Sequence, residues 1–165
     1  MKIIKAPNKH NQLSGIKIFL AGSIEMGVAD KWQDRVTKYL TECEKYTDEE
    51  LIILSPRRDD WDSSWEQSIN NPQFKEQVNW ELDSLEDSDI IVLWFDGNTK
   101  SPISLLEFGL FAESKKIIVY CPDNFWRKGN VDIVCERNQI ECYSQEELFL
   151  YNLKNFVKST INFYN

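Results

Sequence analysis

The sequence is poor in residues that build metal sites and disulfide frameworks. Its 165 residues include one histidine and four cysteines, and no two cysteines are spaced as a C-x-x-C pair. The histidine, His10, lies in a polar N-terminal segment. This set offers little material for zinc, so we expect no metal and interpret the cysteines as reduced thiols in the core. The cysteines are Cys43, Cys121, Cys135 and Cys142.

Glycine, proline, long apolar runs and positive charge are also scarce. The low content of 6 Gly and 5 Pro argues against disorder or long linkers. No apolar run approaches the roughly 20 residues that cross a bilayer, and the N-terminus does not resemble a signal peptide, so we expect a cytoplasmic protein without a membrane partner. A formal charge of −8 opposes binding to a phosphate backbone. We therefore expect a small-molecule ligand and no nucleic-acid polymer.

Apolar residues, in contrast, suffice for one full core. With 42% hydrophobic residues, the chain predicts a single domain at residues 16–165 after a polar N-terminal arm at residues 1–15. Short apolar runs alternate with helical patterns, which predicts an α/β fold. We expect a flavodoxin-like, doubly wound, five-stranded parallel sheet in the order 2-1-3-4-5 with helices on both faces. The predicted strands are residues 16–21, 51–54, 90–95, 117–121 and 140–143.

The stretch 89–112 organises the rest of the chain. Its apolar, β-branched run is typical of a strand buried on both faces, and Ser101 before Pro102 predicts a helix that starts with Ser101 as its N-cap. This helix is apolar nearly all round, so we expect it to be largely buried, yet it carries Glu107. That acid has either a partner or a wet edge, or else it is a nucleophile or base at the carboxyl edge of the sheet, where such sheets bind ligands.

Other features leave structural and functional interpretations open. The turn at Gly22 and Ser23 either approaches a ligand with its backbone or is simply tight. The loop at residues 57–71 has no periodicity, and its tryptophans favour a lid over disorder. In the next helix, predicted at 72–86, Glu81 lies beside the apolar stripe and by pattern alone is a solvated or paired acid. The residues of that stripe are Phe74, Val78, Leu82 and Leu85.

Taken together, these segments resemble the nucleoside 2-deoxyribosyltransferase-like family. The resemblance covers residues 16 to about 140 and implies the flavodoxin-like fold, no cofactor, a nucleoside and a free nucleobase as substrates, and a homo-oligomer of two or more subunits. It rests on the segments IFLAGSI (18–24), SPRRDDWDSSW (55–65), FKEQVNWELDSLEDSDI (74–90), TKSPISLLEFGLFA (99–112) and FWRKGNVDIVC (125–135).

The resemblance also implies roles for individual residues. The family's nucleophilic glutamate, in an E-x-G-x-x-A pattern, maps onto Glu107, and a second carboxylate, usually aspartate, maps onto Glu81. Ser101 stands where the transferases often have aspartate and related monophosphate hydrolases have a phosphate-binding serine. Glu25 stands where those hydrolases have arginine, and an acid there repels a phosphate dianion. Asn130 is the candidate for a polar group lent to a neighbouring subunit's site.

Two carboxylates suit the cleavage of an N-glycosidic bond. Attack of Glu107 on C1′ would give a glycosyl ester and release the base, and attack by a second base would restore the β configuration. Glu81 would orient Glu107 or carry the proton of the leaving base. The expected substrate-binding residues are Gly22, Ser23, Asp60, Trp61, Ser101 and Asn130.

Two other functions fit the same residues. In a nucleoside or nucleotide N-glycosidase, water rather than a base resolves the glycosyl ester. In a non-catalytic module that binds or senses nucleotides, the fold is kept without turnover. The second alternative gains from glutamate at position 81 and from the lack of aspartate at position 101. Resemblance in fold does not decide between these activities.

Overall fold

The computed structural model describes residues 1–24, 31–58, 60, 62 and 64–164, without the side chains at 46, 163 and 164. Three predictions lie outside the described residues: the acid at Glu25, the substrate contact at Trp61, and the start of the first helix at residue 28. The helix that follows is described from Trp32 onward.

From Ile16 onward, strands and helices alternate along the described residues, as the sequence predicts. None of the described helices combines the length and apolarity that a bilayer crossing requires. The strands are β1 (Lys2–Lys5), β2 (Ile16–Gly22), β3 (Leu51–Ser55), β4 (Ile90–Trp94), β5 (Ile117–Tyr120) and β6 (Glu141–Tyr143). The helices are α1 (Trp32–Thr41), α2 (Pro72–Asp87), α3 (Pro102–Phe111), α4 (Lys128–Asn138) and α5 (Glu146–Tyr164). Turns of 3-10 helix at Glu42–Tyr46 and Ala112–Ser114 extend α1 and α3.

The strands form one parallel sheet in the order β1-β3-β2-β4-β5-β6. Without β1, this is the predicted order 2-1-3-4-5, which is confirmed. The predicted number of five strands is wrong, because Lys2–Lys5, assigned to the polar arm, pairs in parallel with β3. The strand is short, begins and ends with lysine and is mostly exposed, as edge strands often are. A search for apolar runs therefore missed it.

Helices cover both faces of the sheet. Along β4, Ile91 and Leu93 face one core, whereas Ile90, Val92 and Trp94 face the other, as the two-residue period of a strand requires. The first core receives side chains from α2, α3 and α4, and the second receives side chains from α1 and α5. Because the predicted acids lie on α2 and α3, they belong to the same layer.

Helix α3 is less buried than its composition predicts. Ile103, Leu106 and Leu110 are 59%, 59% and 61% exposed, whereas Phe108 packs into the first core. The exposed residues are three and four positions apart and therefore line one side of the helix. The expectation of a largely buried helix is corrected: α3 presents an uncovered apolar stripe, formed by Ile103, Leu106 and Leu110.

The inward face of α2 also differs from the prediction, because hydrogen-bonded polar side chains occupy part of it. Gln77 donates from Nε2 to the carbonyl of Pro56 at 2.8 Å. The Ser84 hydroxyl lies 2.8 Å from Nε2 of His10, which is itself only 5% exposed. Counting apolar residues alone missed these positions. The buried residues of α2 are Gln77, Trp80, Ser84 and Leu85, in place of the predicted Phe74, Val78, Leu82 and Leu85.

Candidate active site

The carboxyl ends of β2 and β4 lie side by side, with Gly22 opposite Trp94. The chain continues from β2 to α1 on one face and from β4 to α3 on the other face. This divergence is the switch point at which open α/β sheets bind ligands. Buried polar residues gather there, and they are Ser23, Asp96, Thr99, Ser101 and Ser104.

Glu107 lies in the second turn of α3 and is 9% exposed. None of the described residues forms a hydrogen bond or an ion pair with its carboxyl group. Burial raises the pKa of Glu107 to about 8, and the nearby charge of Glu81 adds to this rise. At neutral pH most of the free protein therefore holds a proton on this acid, without a compensating cation.

Glu81, on α2, is held by one described hydrogen bond. Gln77 donates from Nε2 to Glu81 Oε1 at 2.8 Å, and the same amide nitrogen donates to the Pro56 carbonyl just after β3. Burial raises the pKa of Glu81, and the hydrogen bond from Gln77 opposes that rise. Gln77 thus fixes Glu81 relative to the end of β3. Gln77 is not among the residues predicted from the sequence, although its spacing of four residues from Glu81 on one helix is a usable signal.

The two acids together can supply a general acid and an anionic nucleophile. A negative charge on Glu81 makes ionisation of Glu107 harder, so the pair favours a state with one proton. In such a state, one carboxyl group can donate a proton while the other acts as an anion. The tertiary structure thus places the predicted catalytic residues within electrostatic range of each other.

A cluster of three buried hydroxyls joins the turn after β2 to the loop before α3. Ser23 Oγ lies 2.8 Å from Thr99 Oγ1 and 2.5 Å from Ser101 Oγ, and it accepts a hydrogen bond from the Asp96 amide at 2.9 Å. Ser101 is the N-cap residue of α3, as predicted, but it has φ of 46° and its side chain makes no cap hydrogen bond. The hydroxyls instead fix the start of α3, and with it Glu107, relative to β2.

Gly22 has a packing reason to be glycine. Its φ is 147°, and an added Cβ would lie 2.2 Å from the Trp94 carbonyl oxygen and 2.9 Å from Trp32 Cζ2. Only a residue without a side chain fits this close approach of β2 to β4. The tight-turn interpretation thus accounts for Gly22, and contacts of Gly22, Ser23 and Ser101 with a substrate stay predictions.

A protein-family model described as "Nucleoside 2-deoxyribosyltransferase like" matches residues 15–125, a range that contains both Glu81 and Glu107. The chain belongs to the nucleoside 2-deoxyribosyltransferase-like family. Among solved structures, it is similar to a conserved protein from Enterococcus faecalis V583, with a TM-score of 0.57 and 15% sequence identity over 86% of this chain and 98% of that chain. That likeness supports the α/β fold. Among curated proteins no relative matches the chain.

Within this family member, Asp60 is paired with Arg58. Arg58 donates to both of its carboxylate oxygens, at 2.9 and 3.0 Å, and this hydrogen bonding lowers the pKa of Asp60. Arg58 also donates to Glu76 on α2 at 3.2 Å, which secures the loop against that helix. Asp60 lines a cavity of about 550 Å³ next to β1, together with Ile3, Lys5, Ala6, Pro7 and Asn8.

Asn130 lies in the first turn of α4 and is exposed. The described contacts do not join it to either carboxylate, and the family match ends before it, at residue 125. An exposed side chain is what a contribution to a neighbouring subunit's site requires. That role, like the substrate contact of Asp60, stays a prediction.

Proposed function

We propose that this protein cleaves the N-glycosidic bond of a nucleoside or deoxynucleoside and transfers the sugar to another base through a covalent intermediate on Glu107. The observation that carries the proposal is the environment of Glu107, which is buried beside a second acid and has no described cation or hydrogen-bond donor. A buried acid with a purely structural role is normally compensated by such partners. An acid that must bond to carbon needs its oxygens unoccupied.

The first step forms a bond between a Glu107 oxygen and C1′ as the bond from C1′ to the base nitrogen breaks. The departing base takes a proton from Glu81 and leaves as a neutral species. In the second step another base gives its proton to Glu81 and attacks C1′, and the ester bond to Glu107 breaks. Two inversions leave the β configuration unchanged. The step balances without an oxidant, a metal or a cofactor.

The raised pKa of Glu107 sets the pH dependence of the first step. Since the pKa is about 8, only a minor fraction of the free protein carries the Glu107 anion at pH 7. The positive charge that develops at C1′ favours the anion in the transition state. The step needs the state of the pair that holds one proton, so we expect its rate to fall as pH rises through about 8, where the pair loses that last proton. The rate also falls at low pH, where both acids are protonated.

The family resemblance also predicts a homo-oligomer, and α3 offers a surface for it. The apolar stripe of Ile103, Leu106 and Leu110 is exposed. Trp126, 50% exposed, donates from Nε1 to the Lys100 carbonyl at the start of the same helix. We propose that a second copy of this chain covers this apolar surface, which would bring exposed α4 residues near the neighbouring site.

A Leu106→Glu variant tests this assembly, because a charge cannot be buried without a partner. We expect it to elute as a smaller species than the wild type in size-exclusion chromatography with light scattering. Leu148→Glu, at an exposed apolar position of α5 on the opposite face of the sheet, serves as the matched control. A wild-type monomer would contradict the proposed homo-oligomer.

The transfer reaction is tested by incubating the protein with one deoxynucleoside, with and without a different free base, and separating the products. Formation of a new nucleoside demonstrates transfer. Release of free deoxyribose alone demonstrates hydrolysis by the N-glycosidase alternative. Binding of nucleosides without any turnover would overturn the enzymatic proposal and favour a binding module.

The covalent intermediate has its own test. The wild type is mixed with a deoxynucleoside in the absence of an acceptor base, quenched with acid and digested. The peptide that contains Glu107 should gain the mass of one deoxyribosyl group. Glu107→Gln, which keeps the shape of the side chain, should show no added mass. An adduct on another residue would overturn the assignment of the nucleophile.

A further inference from the structure

Three of the four cysteines gather around the end of β5. Cys121 follows β5, Cys135 lies in α4, and Cys142 lies in β6. The register places Cys142 beside Val119, and the Cys121 amide donates to the Tyr143 carbonyl at 2.9 Å. All three thiols are free in the structure. The cluster therefore joins one helix and two adjacent strands.

Cys135 and Cys142 are neighbours within this cluster. The Cys142 thiol donates to Asp132 Oδ1, three residues before Cys135 on α4, at 3.9 Å, and the interaction between the two cysteine side chains has the largest influence on the pKa of each. The fold of the chain explains the contact. Gln139, with φ of 57°, ends α4, and the Ile140 amide donates back to the Cys135 carbonyl at 2.9 Å. The reversed chain then carries Cys142 to the side of Cys135.

The two sulfurs differ in exposure and charge. Cys135 is 3% exposed in the first core, whereas Cys142 is only partly buried. The interaction with Cys135 and the charge of Lys128 lower the pKa of Cys142, although burial and Asp132 oppose this. Lys128 is itself held by Asp132, with Nζ 2.5 Å from Oδ1. Cys142 is thus the thiol of the cluster that ionises first.

The other two thiols of the cluster are protected from ionisation. The interaction with Cys142, followed by burial, raises the pKa of Cys135. Burial raises the pKa of Cys121 to about 12. Thiolates, not thiols, are the nucleophiles in oxidation, so the pair combines one partly exposed, more acidic thiol with one buried, protected thiol. This division is the one found in redox-sensing cysteine pairs.

We propose that Cys142 and Cys135 are a reversible thiol–disulfide pair that a hydroperoxide oxidises, with Cys142 as the attacking sulfur and Cys135 as the resolving one. The Cys142 thiolate attacks the terminal oxygen of the peroxide, an S–O bond forms, the O–O bond breaks, and the released alkoxide takes a proton. Cys135 then loses its proton and attacks the Cys142 sulfur. The S–S bond forms as the S–O bond breaks, and the hydroxide leaves with that proton as water. Two thiols are oxidised by two electrons, and one hydroperoxide is reduced.

Cys43 provides an internal control within the same chain. It is 1% exposed, lies in the opposite core and has Tyr39 rather than another sulfur as its described hydrogen-bond partner. A lysine or arginine separates each cysteine from the next in the sequence, so trypsin places every cysteine in its own peptide. The two sulfurs of any disulfide can therefore be assigned by mass spectrometry.

The test treats the reduced, full-length wild type with hydrogen peroxide, blocks remaining thiols with N-ethylmaleimide and maps tryptic peptides over time. We expect a cross-link between the Cys135 and Cys142 peptides that dithiothreitol reverses, with loss of the free Cys142 thiol at least about tenfold faster than that of Cys43. A Cys121–Cys142 cross-link would overturn the assignment of Cys135. Equal alkylation of all cysteines, or oxidation of Cys142 beyond sulfenic acid without a cross-link, would overturn the pair.

Two variants separate the roles of the sulfurs. Cys135→Ala should leave a sulfenic acid on Cys142 that dimedone traps, because the resolving thiol is gone. Cys43→Ala should form the disulfide at the wild-type rate. A Cys135→Ala protein in which Cys142 stays reduced in peroxide would contradict the attacking role of Cys142. Neither cysteine belongs to the proposed catalytic pair, so this test is independent of the transferase proposal.

Discussion

Among the acids of helix α2, Asp87 and Glu81 have surroundings that differ sharply. Asp87, at its end, accepts a hydrogen bond from Lys17 Nζ at 2.8 Å and lies 3.2 Å from His10 Nδ1. Glu81, in the middle of the same helix, has an amide from Gln77 as its described partner, and its neighbour Glu107 has no described partner. The first acid is compensated by basic groups and the second pair is not.

The difference separates Asp87, an acid with a structural role, from Glu81 and Glu107, which are buried without such a role. Asp87 and Ser84 both contact the ring of His10, and Trp80 Nε1 donates to the Asn8 carbonyl at 2.8 Å, so α2 anchors the N-terminal segment. The described contacts of Glu81 and Glu107 do not anchor a terminal segment in this way, and the burial of the two acids opposes their ionisation. Uncompensated buried acids cost stability and are typical of reactive sites.

The largest effect is expected on the catalytic rate when each kind of acid is replaced. Glu107→Gln should lower the rate of base release by at least about 10⁴-fold, because the proposed nucleophile is lost. Asp87→Asn should change that rate by no more than about threefold, since Asp87 lies at the opposite end of α2 from the sheet's carboxyl edge. Chromatographic initial rates measure both. Comparable losses in the two variants would erase the distinction.

Glu81→Gln should lower the rate by about 10² to 10⁴-fold, as expected for loss of a general acid. The deficit should shrink for a nucleoside whose base leaves without being protonated. Comparing kcat for such a nucleoside with kcat for an ordinary deoxynucleoside measures this. A deficit of the same size for both would assign Glu81 to positioning rather than to proton transfer.

Stability should respond to the two kinds of acid with opposite signs. Folded protein retains the Glu107 proton up to about pH 8, whereas the unfolded chain releases it near 4.5, so this group makes the free energy of unfolding fall as pH rises between those values. The Glu107→Gln variant lacks this fall in the free energy of unfolding. The free energy of unfolding of the variant, relative to that of the wild type, should therefore increase by about 3 kcal/mol between pH 5 and pH 8, as measured by urea unfolding.

Asp87→Asn should instead lower the free energy of unfolding by about 2 kcal/mol at pH 7, because the mostly buried Lys17 ammonium loses its anionic partner. The loss is not larger because Asp87 is partly exposed and solvent screens the ion pair. The same urea measurement applies. A stabilised Asp87→Asn protein, or a Glu107→Gln protein that is destabilised at pH 8, would show that the contrast drawn from the geometry is mistaken.

The smallest expected effect concerns the residue that positions Glu81. Gln77→Met keeps the length of the side chain but removes both amide donors, and we expect kcat to fall by about tenfold. Because the hydrogen bond from Gln77 lowers the pKa of Glu81, its loss should shift the alkaline limb of the kcat profile to higher pH. Ser84→Ala, on the same helix, should leave the profile unchanged. If the alkaline limb of the kcat profile does not shift in Gln77→Met, Gln77 has only a packing role.

The sequence predicted the neighbourhood of Glu107 better than that of Glu81. An acid inside an apolar helix is visible in the pattern, and the structure does bury it. Glu81 looked like a surface acid because the apolar residues of α2 gave the wrong inward face. Gln77 and Ser84 point inward because the Gln77 amide nitrogen donates to the Pro56 carbonyl and the Ser84 hydroxyl pairs with His10. Apolar periodicity carries no such information.

The sequence by itself determined the alternation of strands and helices and the order of the five inner strands, because the two-residue period of a strand and the 3.6-residue period of a helix are local properties of the chain. Only the tertiary structure decided that β1 extends the sheet, that one side of α3 stays uncovered, and that Glu81 approaches Glu107 and Cys135 approaches Cys142. Such encounters depend on distances between separate elements. These distances are set by packing across the whole fold, which no local pattern encodes.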